Sequence, residues 1–301
     1  MVCGGGGFIG QNLAVYLLAQ GHEVVILDRN KPRLTAQRLQ SFQVDLLHPE
    51  LFDKAWFQDV KAVINLSGKD IFTFWSKKAR KEIWESRVTV NKNLVRFIAV
   101  LDNRPSVFVS ASAVGYYGDK GEAEVPEHKK RGSGFLADVC EAWEAEAREA
   151  EKLGMRSIQV RTAPVLLKQG GILSQLMKSM RFGFTFIFGS GEQWFSWIHM
   201  ADLLRIYHLA ATDETLSGPI NASAPNPVRF RDFIYALTRY QRAVVIPFPV
   251  LILKLLLQET ADVIMFSQKM VPAKLHERNF EFSFPTLEDA LNDIFPSPHT
   301  S

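Results

Sequence analysis

A run of glycines at the start of the chain, Gly4 to Gly7 followed by Gly10, limits the fold more than any other feature of the sequence. Gly4, Gly7 and Gly10 are spaced GxxGxxG, between Met1-Val2-Cys3 and a helical segment beginning near Gln11. Such a turn between strand and helix lets backbone N–H groups face a pyrophosphate. The first glycine permits the tight turn, the second leaves room for the phosphate, and the third lets helix and strand approach. The helix N-terminus adds partial positive charge. The strand that follows, Glu23 to Leu27, ends in Asp28, about 20 residues past the turn, where a carboxylate accepts the ribose hydroxyls of a dinucleotide. A purely structural turn is the alternative, and the strand, helix and acidic residue around it favour the nucleotide. Only three residues precede Gly4, whereas strands average about five or six. The first strand is therefore expected to be short, or the true start to lie upstream.

Up to about residue 210, apolar β-branched runs alternate with helical periodicity. Glu23 to Leu27, Ala62 to Leu66, Val107 to Ser110 and Ser157 to Arg161 read as strands; Asn12 to Gln20, Lys77 to Leu101 and Phe135 to Leu153 read as helices. That alternation predicts an α/β fold, a Rossmann-type doubly wound parallel sheet with ligands at the carboxyl ends of its strands. After Pro225 it stops, and Phe230 to Tyr240 and Val250 to Met270 read as helices of a smaller helix-rich C-terminal lobe. The expected division is a dinucleotide-binding domain over 1–224 and a lobe over 225–301 that contributes to a substrate cleft. Pro296 to Ser301 reads as a frayed tail.

Charge and cysteine content narrow the function. The net charge of +3 is small, and the clusters Lys77-Lys78 with Arg80-Lys81 and Lys129-Lys130-Arg131 lie beside acidic residues, as on a solvated surface. A nucleic-acid partner is not expected. Val244 to Leu257 is broken by Pro247, Pro249 and Lys254 and is too short to span a bilayer. Cys3 and Cys140 are too few for a disulfide framework and have no metal-ligand spacing. With no signal peptide before the glycine turn, a cytoplasmic protein is expected, without membrane or metal, as a monomer or homodimer.

Several motifs then carry a resemblance. The glycine turn, Asn65-Leu66-Ser67-Gly68, and Val109-Ser110-Ala111-Ser112-Ala113 resemble the extended short-chain dehydrogenase/reductase superfamily. Ser86-Arg87-Val88, Gly115-Tyr116-Tyr117-Gly118-Asp119, Phe135-Leu136-Ala137-Asp138 with Trp143-Glu144, and Gly189 to His199 resemble its atypical epimerase-like branch. That branch carries a C-terminal domain of unknown function, whose pattern is similar to Pro225 to Pro227, Gln268 to Pro272 and Phe280 to Leu291. The resemblance implies NAD or NADP as cofactor and a small-molecule substrate. It implies a cofactor site of Gly4, Gly7, Phe8, Ile9, Gly10, Asp28, Arg29, Leu66, Ser67, Gly68, Glu82, Arg87 and Val165.

For chemistry, the resemblance places Ser112 where a hydroxyl donates to a substrate oxygen that gains charge during hydride transfer; capping the strand end is its other reading. The Tyr and Lys that usually accompany it are missing, because their positions hold Phe135 and Val139, which exchange no proton. Tyr116 and Lys120 repeat the spacing, but in a loop, where it aligns nothing. Tyr116 or Tyr117 is a surrogate acid or a packing aromatic. Arg87 stands where an Asn commonly faces the cofactor, and Glu82 either fixes it there or is a coincidence of a charged helix. His199 is a structural histidine or a general base, and Asp202 after it reads as a helix N-cap. Trp194, Phe195 and Trp197 line a substrate cleft or fill a core.

The expected function is an NAD(P)-dependent oxidoreductase or epimerase acting on a small polar substrate, with a non-catalytic dinucleotide sensor as the alternative. Asp28 opposes a 2′-phosphate and favours NAD. Arg29 and the family pattern favour NADP.

Overall fold

Short apolar runs buried on both faces build the sheet. In the computed structural model, which describes residues 1–30 and 34–296, β1 (Val2–Cys3), β2 (Val24–Asp28), β3 (Leu39–Gln43), β4 (Ala62–Asn65) and β5 (Val107–Ala113) join Arg156–Thr162 and Gly218–Ala222 in seven strands. Their order is Gly218–Ala222, Arg156–Thr162, β5, β4, β1, β2, β3. The β1–β2, β2–β3, β1–β4 and β4–β5 ladders run parallel. Strand order therefore reverses between β1 and β4, the place where such sheets open a crevice for ligand. The doubly wound α/β expectation holds. β3 was not foreseen, because its edge position leaves Gln40, Ser41 and Gln43 exposed and removes the apolar signal. The tail reading for Pro296 to Ser301 falls, beyond residue 296, outside the described residues.

Helices depart from their expected bounds in two informative places. α1 (Phe8–Ala19) begins directly after Gly7, four residues before Asn12. The single helix expected over Lys77 to Leu101 is instead α2 (Lys77–Trp84), a π-helical turn at Glu85–Thr89, and α3 (Val90–Ala99). The extra residue of a π turn shifts the helix face and is frequent at functional sites. α4 (Phe135–Arg148) runs on into a 3₁₀ turn at Glu149–Leu153, closed by Gly154 with φ of 80°.

The chain divides into two compact units. One comprises Met1–Ala113, Asp138–Arg161 and Leu204–Ile220; its core gathers Cys3, Leu27, Val63, Leu94, Ile98 and Phe108. The other comprises Val114–Ala137, Thr162–Leu203 and Asn221–Ser301, around Phe195, Trp197, Phe230, Phe233 and Leu291. In this second unit Phe184–Phe188 pairs in parallel with Val244–Phe248. The helix expected from Val250 to Met270 ends at Leu257 and restarts at Glu259, since Gln258 takes φ of 49°. Lys269–Met270 is a strand beside Glu124–Val125. Among the described residues no helix is long and apolar enough to cross a membrane.

Candidate dinucleotide site

Within the glycine turn the Gly4 N–H donates to the Leu27 carbonyl at 2.8 Å and the Gly7 N–H to the Gly4 carbonyl at 3.1 Å. Gly7 holds the N-cap position of α1 without a side-chain cap, so the leading N–H groups of the helix lack a side-chain acceptor. Gly4 has φ of 76°, and a Cβ on it would stand 2.9 Å from the Ser67 nitrogen. A Cβ on Gly10 would stand 2.3 Å from the Gly4 oxygen, which is the close helix–strand approach expected of the third glycine. Gly7 is exposed, and its nearest neighbour in that sense is the Gly4 oxygen at 3.3 Å.

Asp28 is anchored by the same turn. Its Oδ2 accepts the Gly6 N–H at 2.9 Å and its Oδ1 the Asn30 N–H at 2.8 Å. Gly6 lies outside the GxxGxxG pattern, and its part in holding Asp28 was not read from sequence. A groove of about 520 Å³ runs between the turn and the loop after β4; its walls include Gly4, Gly7, Asp28, Arg29, Leu66, Ser67, Gly68 and Glu82. Phe8 and Ile9 are partly buried in the first turn of α1, and Gly10 is buried there. Val165 belongs to the second unit, where it pairs with Ile198.

A buried asparagine that no local motif marks, Asn91, supports the loop after β4 through Asn65. Asn65 accepts the Ser67 N–H with Oδ1 and donates to Asn91, which in turn donates to Ser110 Oγ and the Trp143 carbonyl. Asn91, on α3, thereby ties β4, β5 and α4 together in one buried polar string. Its partners lie 19 to 52 residues away in sequence, so no local pattern announced it.

The expected Glu82–Arg87 pair is replaced by another. Glu82 pairs with Lys69, which holds its carboxyl below the usual range. Arg87 donates Nη2 to the Lys69 carbonyl at 2.8 Å and Nη1 to the Ile83 carbonyl and Ser86 Oγ, both at 3.3 Å. The π turn re-aims Arg87, and five-residue spacing does not bring side chains together on a regular helix.

On the β5 side the polar groups are committed internally. Ser112, 3% exposed, donates its hydroxyl to Glu144 Oε1 at 2.7 Å. Arg161 grips that carboxylate with both arms, Nε to Oε1 and Nη2 to Oε2, each at 2.8 Å. This corrects the donor role expected of Ser112: its one proton is already given to a buried carboxylate. On α4, Phe135 is partly buried and Val139 buried, so neither relay position carries a titrating group. The nearby Cys140 thiol is pushed up to about 12 by burial and stays protonated at neutral pH.

Residues 1–222 match the NAD dependent epimerase/dehydratase family, and residues 248–294 match the Domain of unknown function DUF1731. The chain belongs to the NAD dependent epimerase/dehydratase family. An Arabidopsis thaliana relative, the chloroplastic epimerase family protein SDR39U1 homolog, is 37% identical over 97% of this chain and 85% of its own length. The human epimerase family protein SDR39U1 (isoform 2), in a crystal structure with NADPH, superposes with a TM-score of 0.82 at 27% identity over 97% of both chains. UDP-glucuronic acid 4-epimerase from Bacillus cereus, in complex with NAD, shares the fold at 18% identity, with a TM-score of 0.77 over 98% of this chain and 97% of that one.

An NAD(P) dinucleotide suits the residues present in this epimerase-family chain. The Ser67 hydroxyl, buried in the groove wall, has no hydrogen-bond partner among the described residues, so it has a donor to give to a bound hydroxyl or phosphate. The uncapped α1 N-terminus and Asp28 supply the remaining complement.

The residues expected on the catalytic side but located in the family member's second unit are mostly structural. Tyr117 is fully buried and donates to Asn221 Oδ1 at 2.7 Å, which removes it as a surrogate acid. Tyr116 is partly buried against it, edge to face. Lys120 donates to the Arg131 carbonyl and forms no relay with Tyr116. Phe195 stacks on Phe233 and Trp197 is wholly buried, so both belong to the core and not to a cleft. Trp194 lies under the Arg229 guanidinium at 3.9 Å and donates to Glu122, whose carboxyl is lowered to about 2 chiefly by its bonds to Arg229 and Trp194. His199 is buried against Phe284, accepts the Ala201 N–H on Nδ1, and sits 3.3 Å from Asp293. Asp202 is no N-cap; it takes the Ser283 and Phe284 N–H groups, pinning the C-terminal segment. Among the described residues no group of three or more His, Cys, Asp or Glu could hold a metal.

Proposed function

We propose that this chain is an NAD(P)-dependent oxidoreductase or epimerase of a small polar substrate, working without the phenol–lysine relay of its superfamily. The observation that carries this reading is the groove itself, whose glycine turn, orphan Ser67 hydroxyl and anchored Asp28 are complete for a dinucleotide. When bound, the dinucleotide supplies hydride transfer. Ser112 acts as a positioning residue, holding the end of β5 through Glu144.

The committed hydroxyls of Ser112 and Tyr117 favour a second reading, a dinucleotide sensor without turnover. Protein loaded with reduced dinucleotide and incubated with a panel of sugars and carbonyl compounds separates the two. Loss of reduced-cofactor absorbance with a substrate supports the enzyme; its persistence across the panel, with binding intact, supports the sensor.

On coenzyme choice, NAD binds more tightly than NADP. Both oxygens of Asp28 already accept a backbone N–H and keep lone pairs for ribose hydroxyls, whereas a 2′-phosphate meets like charge, offset only by the neighbouring Arg29. The NADPH held by the human relative argues the other way. Asp28→Ser is expected to shift preference toward NADP, with Arg29→Ala reversing the shift. NADP tighter than NAD by about tenfold in the unaltered protein overturns the assignment.

A further inference from the structure

α4 presents no cation where the superfamily relay has its lysine, because Val139 is buried and apolar. A cation nonetheless reaches this neighbourhood from another element. The π turn at Glu85–Thr89 directs Arg87 so that its guanidinium lies 5.3 Å from the ring centre of Trp143, one helical turn beyond Val139 on α4. A Cβ on Gly68, in the groove wall, would stand 3.1 Å from the Arg87 Cζ.

Among the described residues every acceptor of Arg87 is neutral: two carbonyls and the Ser86 hydroxyl. The acids around it are spoken for or apart. Glu82 is paired with Lys69, and Glu85 lies 3.7 Å from Lys81. Asp70 acts on Arg87 through space, and the Cys140 thiol beside it is neutral. Burial lowers the guanidinium's proton affinity without discharging it. A partly buried cation without a bonded carboxylate among the described residues keeps its charge for a ligand.

Contacts place this cation behind the groove wall, against Gly68. Asp28 bonds to Gly6, Gly4 abuts Ser67, and Gly68 abuts Arg87. Arg87 is thus at the end opposite Asp28, on the β4–β5 side of the switch point. With the adenosine ribose at Asp28, that end receives the nicotinamide half.

We propose that Arg87, on the α2–α3 turn, sets a fixed positive charge at the nicotinamide end of the groove and so makes the site bind reduced dinucleotide more tightly than oxidised. The inference rests on the reading of the groove as a dinucleotide site. The oxidised nicotinamide ring is cationic and the reduced ring neutral, so a fixed positive charge disfavours only the oxidised form. The effect is on the order of tenfold at intermediate dielectric and shrinks with added salt.

The test titrates the full chain by calorimetry with NADH, NAD⁺ and adenosine diphosphate ribose, with NADPH and NADP⁺ in parallel. The expected result is a reduced-over-oxidised affinity ratio of about tenfold. Arg87→Met should bring that ratio close to one while adenosine diphosphate ribose binds as before, and Arg87→Lys should preserve the ratio. An unchanged ratio in Arg87→Met overturns the proposal, as does an equal loss of all ligands, which marks Arg87 as a structural plug on Trp143. If Arg87→Met does not fold, a ratio near one in the unaltered protein or in Arg87→Lys overturns it instead. Failure of the unaltered chain to bind even adenosine diphosphate ribose defeats the dinucleotide reading itself, an outcome distinct from a missing ratio.

Discussion

The glycine turn after β1 and the end of β5 lie on the same edge of one sheet, yet they treat their polar groups in opposite ways. Around Gly4 to Gly10 the N-terminus of α1 has no side-chain cap, the Ser67 hydroxyl has no hydrogen-bond partner among the described residues, and Asp28 retains accepting capacity. At β5 and α4 the Ser112 hydroxyl, the Glu144 carboxylate and the Arg161 guanidinium bond one another in a buried cluster. Recognition by backbone needs only that side chains be absent, so glycines suffice. Proton transfer needs polar atoms left available, and here internal hydrogen bonds have absorbed them.

The largest effect that sharpens this contrast is on stability. Glu144→Ala leaves the Arg161 cation buried without its counter-ion and Ser112 without its acceptor, so urea denaturation should show a loss of about 3–5 kcal/mol. A loss below about 1 kcal/mol, within the range of an exposed ion pair, would break the comparison by showing that the cluster does not hold the fold. Next comes an expected absence of gain: Phe135→Tyr restores a phenol but leaves Val139 beside it, so its pKa stays near about 10 and turnover with a candidate carbonyl should hardly rise. A large rise would show that another cation, with Arg87 the first to examine, already serves that position.

The smallest effect concerns pH. Burial lowers the His199 pKa below its ordinary value, so the unfolded chain binds the proton more readily than the folded one. The stability from neutral His199 is therefore complete above about pH 6.5 and is lost progressively as pH falls from there toward the lowered folded value. Urea midpoints measured from neutral to mildly acidic pH should decline less in His199→Gln than in the unaltered chain. An identical decline would place the sensitivity elsewhere.

What could be read from sequence divides along the same line. The turn, the acidic end of β2 and the missing relay at Phe135 and Val139 were legible because each depends on residue type at a fixed short spacing. Ser112–Glu144 spans 32 residues and Tyr117–Asn221 spans 104, and nothing local signals such partners. The π turn was hidden because Lys77 to Ala99 has continuous helical periodicity, although that one extra residue decides where Arg87 goes. β3 was hidden because an exposed edge strand has no apolar alternation.

Whether an intact dinucleotide groove lies beside a sealed proton-transfer cluster is decided by titrating NADH into three proteins side by side: the unaltered chain, Gly7→Val and Ser112→Ala. The expected result is one site per chain in the first, no binding in Gly7→Val although its fold persists by circular dichroism, and unaltered affinity in Ser112→Ala despite lower stability. Retained binding in Gly7→Val, or lost binding in a folded Ser112→Ala, would contradict it.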